Sequence, residues 1–179
     1  GLILVCAGAG GHAGTLSPFA LVSEVREFFD GPIALSGSIS EGSSVLSALA
    51  LGADFAYVGT KFIATEEANA SPGYKQMIID STADDIMYSA TFTGVNGNYL
   101  RPSVEAAGLN PEEHTSGSKD DMNFSTSAIA KKDNSSKAWK DIWGSGQGIG
   151  SIKDAPSVQT AVDQMVSEYE EAKSRLDNF

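Results

Sequence analysis

The sequence predicts an α/β protein built on a parallel sheet. Three observations carry that reading. Short apolar runs occur at residues 2–6, 33–36 and 55–58; each is followed by a glycine-bearing turn; and stretches of helical spacing separate them. Strands alternating with helices of about 10–15 residues form right-handed βαβ units, which place parallel strands side by side.

The first run, Leu2-Ile3-Leu4-Val5-Cys6, is apolar without alternation, the pattern of a strand buried on both faces. A turn rich in glycine follows, and Ser17-Pro18 then reads as a helix start, an N-cap before proline at the first helical position. Phe19, Val22, Val25 and Phe29 recur at helical spacing until Gly31-Pro32. The second unit starts with Ile33-Ala34-Leu35-Ser36 and turns at Gly37-Ser38-Ile39-Ser40. Its helix shows Val45, Leu46, Leu49 and Ala50 on one face and ends at Gly52, a residue suited to the left-handed C′ position. The third run, Phe55-Ala56-Tyr57-Val58, leads into Gly59-Thr60-Lys61-Phe62.

Past residue 65 the rhythm changes. Residues 72–79 read as a helix and 85–93 as a short strand or extended segment. Residues 94–137 are polar and read as irregular or helical, with weak helical stretches near Val104 and Ile129 and a composition at 117–121 compatible with local disorder. Trp139 and Trp143 read as core of this part rather than as a stacking platform. A turn at 144–150 precedes a final helix with the stripe Val158, Ala161, Val162, Met165, Val166, Tyr169, Ala172 and Leu176. Asp154, ahead of Pro156, stands where its cap is expected. Three strands do not close a barrel, and the first and third would be open edges.

Composition narrows the function classes. Of 179 residues, 41% are hydrophobic and 20% charged, as in an ordered globular domain. A net charge of −11 without a clustered basic patch argues against a nucleic-acid partner. No run approaches the roughly 18 apolar residues of a membrane span, and no signal peptide is visible. Cys6 is the only cysteine, which rules out an intramolecular disulfide and favours a reducing, cytoplasmic location; within its apolar run it reads as a small buried hydrophobe. The two histidines are distant and no H-E-x-x-H is present, so no metal site is expected. The chain enters a core-like strand directly at Gly1-Leu2, as expected of a fragment whose upstream part is missing.

The turn Gly8-Ala9-Gly10-Gly11-His12-Ala13 fits the loose dinucleotide pattern G-x-G-x-x-A. However, the helix opens only near Ser17, and the second strand ends in Ser36-Gly37 with no acidic residue for a ribose hydroxyl. His12 lies at the C-terminal end of a parallel strand, where such folds place their chemistry, and imidazole titrates near neutrality as a general base must. The alternative is a surface histidine tolerated in a loop. Gly10 and Gly11 would let a flat ligand approach the backbone. Gly37-Ser38 and Gly59-Thr60 each end a strand and open a helix, one βα unit apart, and their amides, the positive ends of the helix dipoles and the two hydroxyls could converge on an anion. Lys61 adds a cation to that site or is a solvated lysine at a helix start. The loop 144–148, which holds Gln147, either approaches a ligand or simply leads into the last helix.

These stretches together resemble the nitronate monooxygenase family, also called 2-nitropropane dioxygenases. The resemblance is carried by residues 6–14, 35–39 and 56–62, by Phe92-Thr93-Gly94-Val95-Asn96-Gly97-Asn98-Tyr99-Leu100, and by Gly146-Gln147-Gly148-Ile149-Gly150. It covers nearly the whole chain but only the later half of the family's length. It implies the last βα units of a partial TIM (β/α)8 barrel with a small, mostly helical inserted subdomain. The segments would be barrel units at 1–65, the insert at 66–145, and a return segment with the final barrel helix at 146–179. The cofactor implied is FMN, and the reaction is oxidation of nitronates or nitroalkanes with O2. By the same resemblance, His12 takes the α-proton of a nitroalkane. Gly37, Ser38, Gly59 and Thr60 hold the FMN phosphate, and Gly10, Gly11 and Gln147 join the cofactor set. Lys61 stands where many relatives carry arginine, which keeps charge but loses bidentate geometry. The early strands, which in the family contact the flavin ring, are absent from this sequence. Two alternatives stand beside this reading: an FMN-dependent enoyl-thioester reductase, whose barrel has a similar glycine-histidine turn, and a non-catalytic fragment.

Overall fold

A computed structural model describes residues 1–114 and 141–178. The weak helix near Ile129, the segment 117–121 and Trp139 lie outside the described residues.

The three apolar runs form one parallel sheet. β1 (Leu2–Val5), β3 (Ile33–Ser36) and β4 (Phe55–Tyr57) lie in the order β1-β3-β4, with Leu4 opposite Leu35 and Leu35 opposite Ala56. As the alternation of a strand requires, Leu4, Ile33 and Leu35 point to one face, where Val22, Val25 and Ala48 cover them. Those residues come from α1 (Pro18–Arg26) and α2 (Gly42–Ala50).

The other face is open. Ile3, Phe55 and Tyr57 are 59%, 61% and 54% exposed, so β1 is not buried on both sides as its unbroken apolar run suggested. Among the described residues no element covers that side, and β1 and β4 are edges, as the strand count required.

Local chemistry accounts for the helix ends. The Ser17 hydroxyl accepts from the Ala20 amide at 3.4 Å, capping α1 as expected. α2 closes in a Schellman motif: Gly52 has φ +104°, its N–H donates to Leu49 O, and the Ala53 N–H donates to Ala48 O. Phe19 and Leu49, expected on buried faces, are exposed, and Gly42 and Ala48 are the buried residues of α2. The Arg26 side chain gathers the carbonyls of Phe29, Gly31 and Gly52 and the Asp54 carboxylate, tying the end of α1 to the start of β4.

Beyond β4 follow the short α3 (Thr60–Ile63) and α4 (Pro72–Asp80). Next comes a second sheet, with one strand inside the expected segment 85–93 and another that the polar composition of 94–137 had concealed. β5 (Ile86–Ser89) pairs antiparallel with β6 (Gly97–Leu100), and β6 pairs antiparallel with β2 (Gly11–His12). All four β6 residues are buried. The described part of 66–145 therefore holds two strands beside its helical segments. α5 (Arg101–Ala106) stands near Val104 as expected, and Trp143 stacks on Tyr74 with ring centroids 4.9 Å apart, inside the cluster of Ile78, Leu100, Ile149 and Ile152.

The final helix, α6 (Val158–Leu176), is capped by Ser157 instead of Asp154: the Ser157 hydroxyl accepts from the Thr160 amide, and Glu67 accepts from the Val158 amide. Ala161, Met165 and Ala172 of its stripe are buried, whereas Val162, Val166 and Leu176 remain exposed. α6 lies against α2 at backbone distance. A Cβ on Gly42 would stand 2.0 Å from Met165 O, and the Glu168 carboxylate accepts from the Gly42 amide at 2.8 Å, capping α2 across the interface. Among the described residues no helix is long and apolar enough to cross a membrane.

Candidate active site

The turns that leave β1, β3 and β4 meet at one end of the parallel sheet. They enclose a cavity of about 290 Å³ with the loop that precedes α6. Gly10 and Gly11, Gly37 and Ser38, and Gly59 and Thr60 all line it, together with Gly144, Gly146 and Gly148. βαβ handedness explains the meeting: three parallel strands place their C-terminal ends side by side.

Hydrogen bonds weld these turns together. Gly8 O accepts from the amides of Ser38 at 3.2 Å and Gln147 at 2.9 Å, so the Ser38 amide is occupied and is no free donor to a ligand. The Gly146 amide donates to Thr60 Oγ1 at 2.9 Å; Thr60 is buried, and its own hydroxyl proton remains available to donate. The buried Asn98 of β6 donates to Ala9 O at 2.7 Å, and Ser40 donates to Gly148 O at 2.7 Å. Ser38 itself holds φ +55°, the one left-handed non-glycine among the described residues, in a conformation that costs about 1–2 kcal/mol. Gly37, at φ +142°, has a further reason to lack a side chain, since a Cβ would lie 2.3 Å from Cys6 Sγ. The Cys6 thiol is buried and donates to Ser36 O at 3.0 Å; burial pushes its pKa up, away from thiolate chemistry.

Three expectations need correction. The turns do not open directly into long helices: α2 begins four residues beyond Ser38, and α3 has only four residues, too few for a substantial dipole. Lys61 neither lines the cavity nor meets solvent. It is 3% exposed and its ammonium donates to Gln164 Oε1 of α6 at 3.4 Å. Gln147 joins the glycine turn through its backbone, but it is exposed and is not part of the cavity wall.

His12 stands in an adjoining cavity of about 270 Å³, which shares Gly11 and Gly144 with the first. The second sheet places it there. His12 pairs with Gly97, Gly11 pairs with Asn98, the Ala13 amide donates to Asn96 O at 3.1 Å, and Tyr88 OH donates to Ala13 O at 2.9 Å. Its Nε2 lies 3.1 Å from Thr93 Oγ1. Phe92, Tyr99 and Ile142 supply apolar walls, with Phe92 and Tyr99 edge to face at 5.0 Å. Among the described residues no Asp, Glu, Lys or Arg side chain lines this space.

Sequence reasoning thus found the glycine turns and His12 but missed Thr93, Tyr99 and Ile142. The legible signal was Gly97-Asn98-Tyr99-Leu100, whose tyrosine and leading glycine fit a strand packed closely on another backbone. A Cβ on Gly97 would stand 2.7 Å from Gly11 O, which fits that role.

Comparison with known proteins agrees with this geometry. The family model described as nitronate monooxygenase matches residues 2–168. A nitronate monooxygenase of Paraburkholderia phytofirmans is 30% identical over 112 residues, covering 58% of this chain and 31% of the relative. Nitroalkane oxidase from Streptomyces ansochromogenes superposes with a TM-score of 0.72 at 25% identity, over 97% of this chain and 52% of that one. FabK from Thermotoga maritima does so with a TM-score of 0.73 at 24% identity, over 98% and 56%. The chain therefore spans about half of these solved structures and a smaller share of the curated relative. The match along nearly all its residues shows that the chain belongs to the nitronate monooxygenase family.

Proposed function

We propose that the protein carrying this chain is an FMN-dependent nitronate monooxygenase, which oxidises nitronates and nitroalkanes with O2 to carbonyl products. In this reading residues 1–65 are the last βα units of a TIM barrel, 66–145 an inserted subdomain, and 146–179 the return segment with the final barrel helix. The apolar face that carries Ile3, Val5, Phe55 and Tyr57 would then look onto the remaining strands of the barrel.

One observation carries the proposal: Gly10, Gly11, Gly37, Ser38, Gly59 and Thr60 line a single cavity, and His12 lies in the space next to it. The residues fit a flavin tail. At Gly59 φ is negative (φ −117°, ψ −70°) and an added Cβ would meet no described atom within 4 Å, so among the described residues neither a left-handed backbone nor packing explains the missing side chain. A ligand in the cavity does. Thr60 would donate its hydroxyl proton to a phosphate oxygen, and the glycine walls would admit the flat ring system. Bound FMN would accept the substrate's electrons and return them to O2. His12 would take the α-proton of a neutral nitroalkane, whereas a pre-formed nitronate needs no base. The apolar walls from Phe92, Tyr99 and Ile142 would receive the alkyl part of the substrate.

The test is to purify the protein and record its visible spectrum, then follow oxygen uptake with nitronate in the absence of nicotinamide. Flavin bands released on denaturation and nitronate-driven uptake are expected. Enoyl-thioester turnover driven by NADPH, without nitronate oxidation, would move the assignment to the reductase reading. A colourless protein that takes up no FMN would leave a non-catalytic fragment.

A further inference from the structure

The hydrogen bond between His12 and Thr93 assigns the atoms of the imidazole. We infer that Thr93 is a positioning residue for His12: its oxygen receives the Nε2–H, which fixes the ring and its tautomer and leaves Nδ1 as the proton acceptor. The inference rests on the reading of His12 as the base.

A hydroxyl has one proton to give and two lone pairs to receive with. Thr93 Oγ1 donates to Val95 O at 2.9 Å, the shortest of its contacts and one to an atom that can only accept. With that proton committed, every other neighbour of the oxygen must donate to it. The Val95 amide does so at 3.3 Å, and His12 Nε2, at 3.1 Å, takes the second lone pair as an N–H. The Tyr99 hydroxyl, at 3.4 Å, is the weakest of the three approaches. A neutral imidazole protonated at Nε2 carries its lone pair on Nδ1.

The surroundings hold this arrangement in place. Thr93 lies in the loop between β5 and β6, and those same strands clamp the backbone on both sides of His12. Thr93 and Val95 close a local side-chain-to-backbone turn, so the acceptor oxygen is itself anchored. When the base acts, the substrate's C–H proton moves to Nδ1 while the bonding pair stays on the substrate as nitronate. The imidazolium that results keeps its Nε2–H on Thr93.

Three variants of the flavin-loaded protein test this. Thr93→Val should lower turnover of neutral nitroalkane by about 10-fold, part of the 10²–10⁴-fold a positioned base contributes. Oxidation of pre-formed nitronate and FMN retention should stay near wild type, and Thr93→Ser should restore the lost rate. Two-bond ¹H–¹⁵N correlation of labelled His12 should show the Nε2–H tautomer in wild type and a mixture in Thr93→Val. Wild-type protein with the proton on Nδ1, or a Thr93→Val variant that turns over nitroalkane normally while His12→Ala does not, would overturn the role of Thr93 alone. If His12→Ala loses nitroalkane and nitronate turnover equally, the base reading itself fails, whatever the tautomer.

Discussion

Gly59 gives the sharpest test of the cofactor reading, because there nothing among the described residues accounts for a missing side chain. At φ −117° and ψ −70° the backbone lies outside the left-handed region that demands glycine, and a Cβ would meet no described atom within 4 Å. Gly59→Ala should therefore leave the apo fold unchanged, or stabilise it by about 0.4–1 kcal/mol through a stiffer unfolded chain. Gly59→Val projects its two methyls from the cavity wall into space that a flavin tail would fill. Overpacking of that kind costs about 1–3 kcal/mol, which corresponds to roughly 5- to 150-fold weaker binding. Gly37 offers no such clean reading: at φ +142°, with Cys6 Sγ 2.3 Å from a Cβ, any substitution there damages the fold as well. The assay pairs thermal melting of the apo protein with an FMN titration followed by flavin fluorescence. An unchanged apo melt with weakened FMN affinity is expected for Gly59→Val. An affinity within about twofold of wild type, on an intact fold, would remove the flavin tail from this cavity.

Other perturbations separate neighbouring roles. Lys61→Met should leave FMN affinity unchanged, because the ammonium lies on Gln164, whereas Thr60→Val should weaken it; the same titration reads both. Tyr74 is half-buried and donates to Gly144 O, and the loss of solvent around its hydroxyl pushes its pKa up to about 12. Its neutral form therefore contributes stability fully below about pH 10 and loses it as the pH rises towards that folded value. Tyr74→Phe should lower stability by about 1 kcal/mol at neutral pH, and the gap in melting temperature should close in alkali. Asp54 accepts from the Ile33 amide and from Arg26, and these hold its carboxyl below the usual range. Its contribution is present above the ordinary carboxylate pKa and disappears as the pH falls through the lowered one. Asp54→Asn should thus melt earlier than wild type at neutral pH and converge with it in acid, as circular dichroism would show.

The parts legible in the sequence were those governed by neighbours in the chain. Ser17-Pro18 and Gly52 mark helix ends through their own side chains or lack of one, and the three apolar runs become strands where they stand. The cavity residues followed from the same local rhythm, since βαβ handedness leaves little freedom in where Gly37, Ser38, Gly59 and Thr60 can meet. What escaped depends on distant partners. β6 is four buried residues of mixed polarity, and its strand character comes from pairing with β2 and β5. The direction of Lys61 is set by Gln164, which lies in the last helix. Ser157 and Asp154 both offer oxygens near Pro156, and only the actual first turn of α6 decides between them.

The loop from Gly144 to Gly148 is stitched to Asn98, Thr60 and Gly8, so the walls of the cavity are drawn from the first turn of the chain, its middle and the approach to its final helix. Contacts so far apart in the chain form late, because closure entropy must be met before they can reward it. During refolding the hollow should consequently mature last, after both sheets have assembled, and a dye or flavin that reports on it should lag behind the recovery of helical signal.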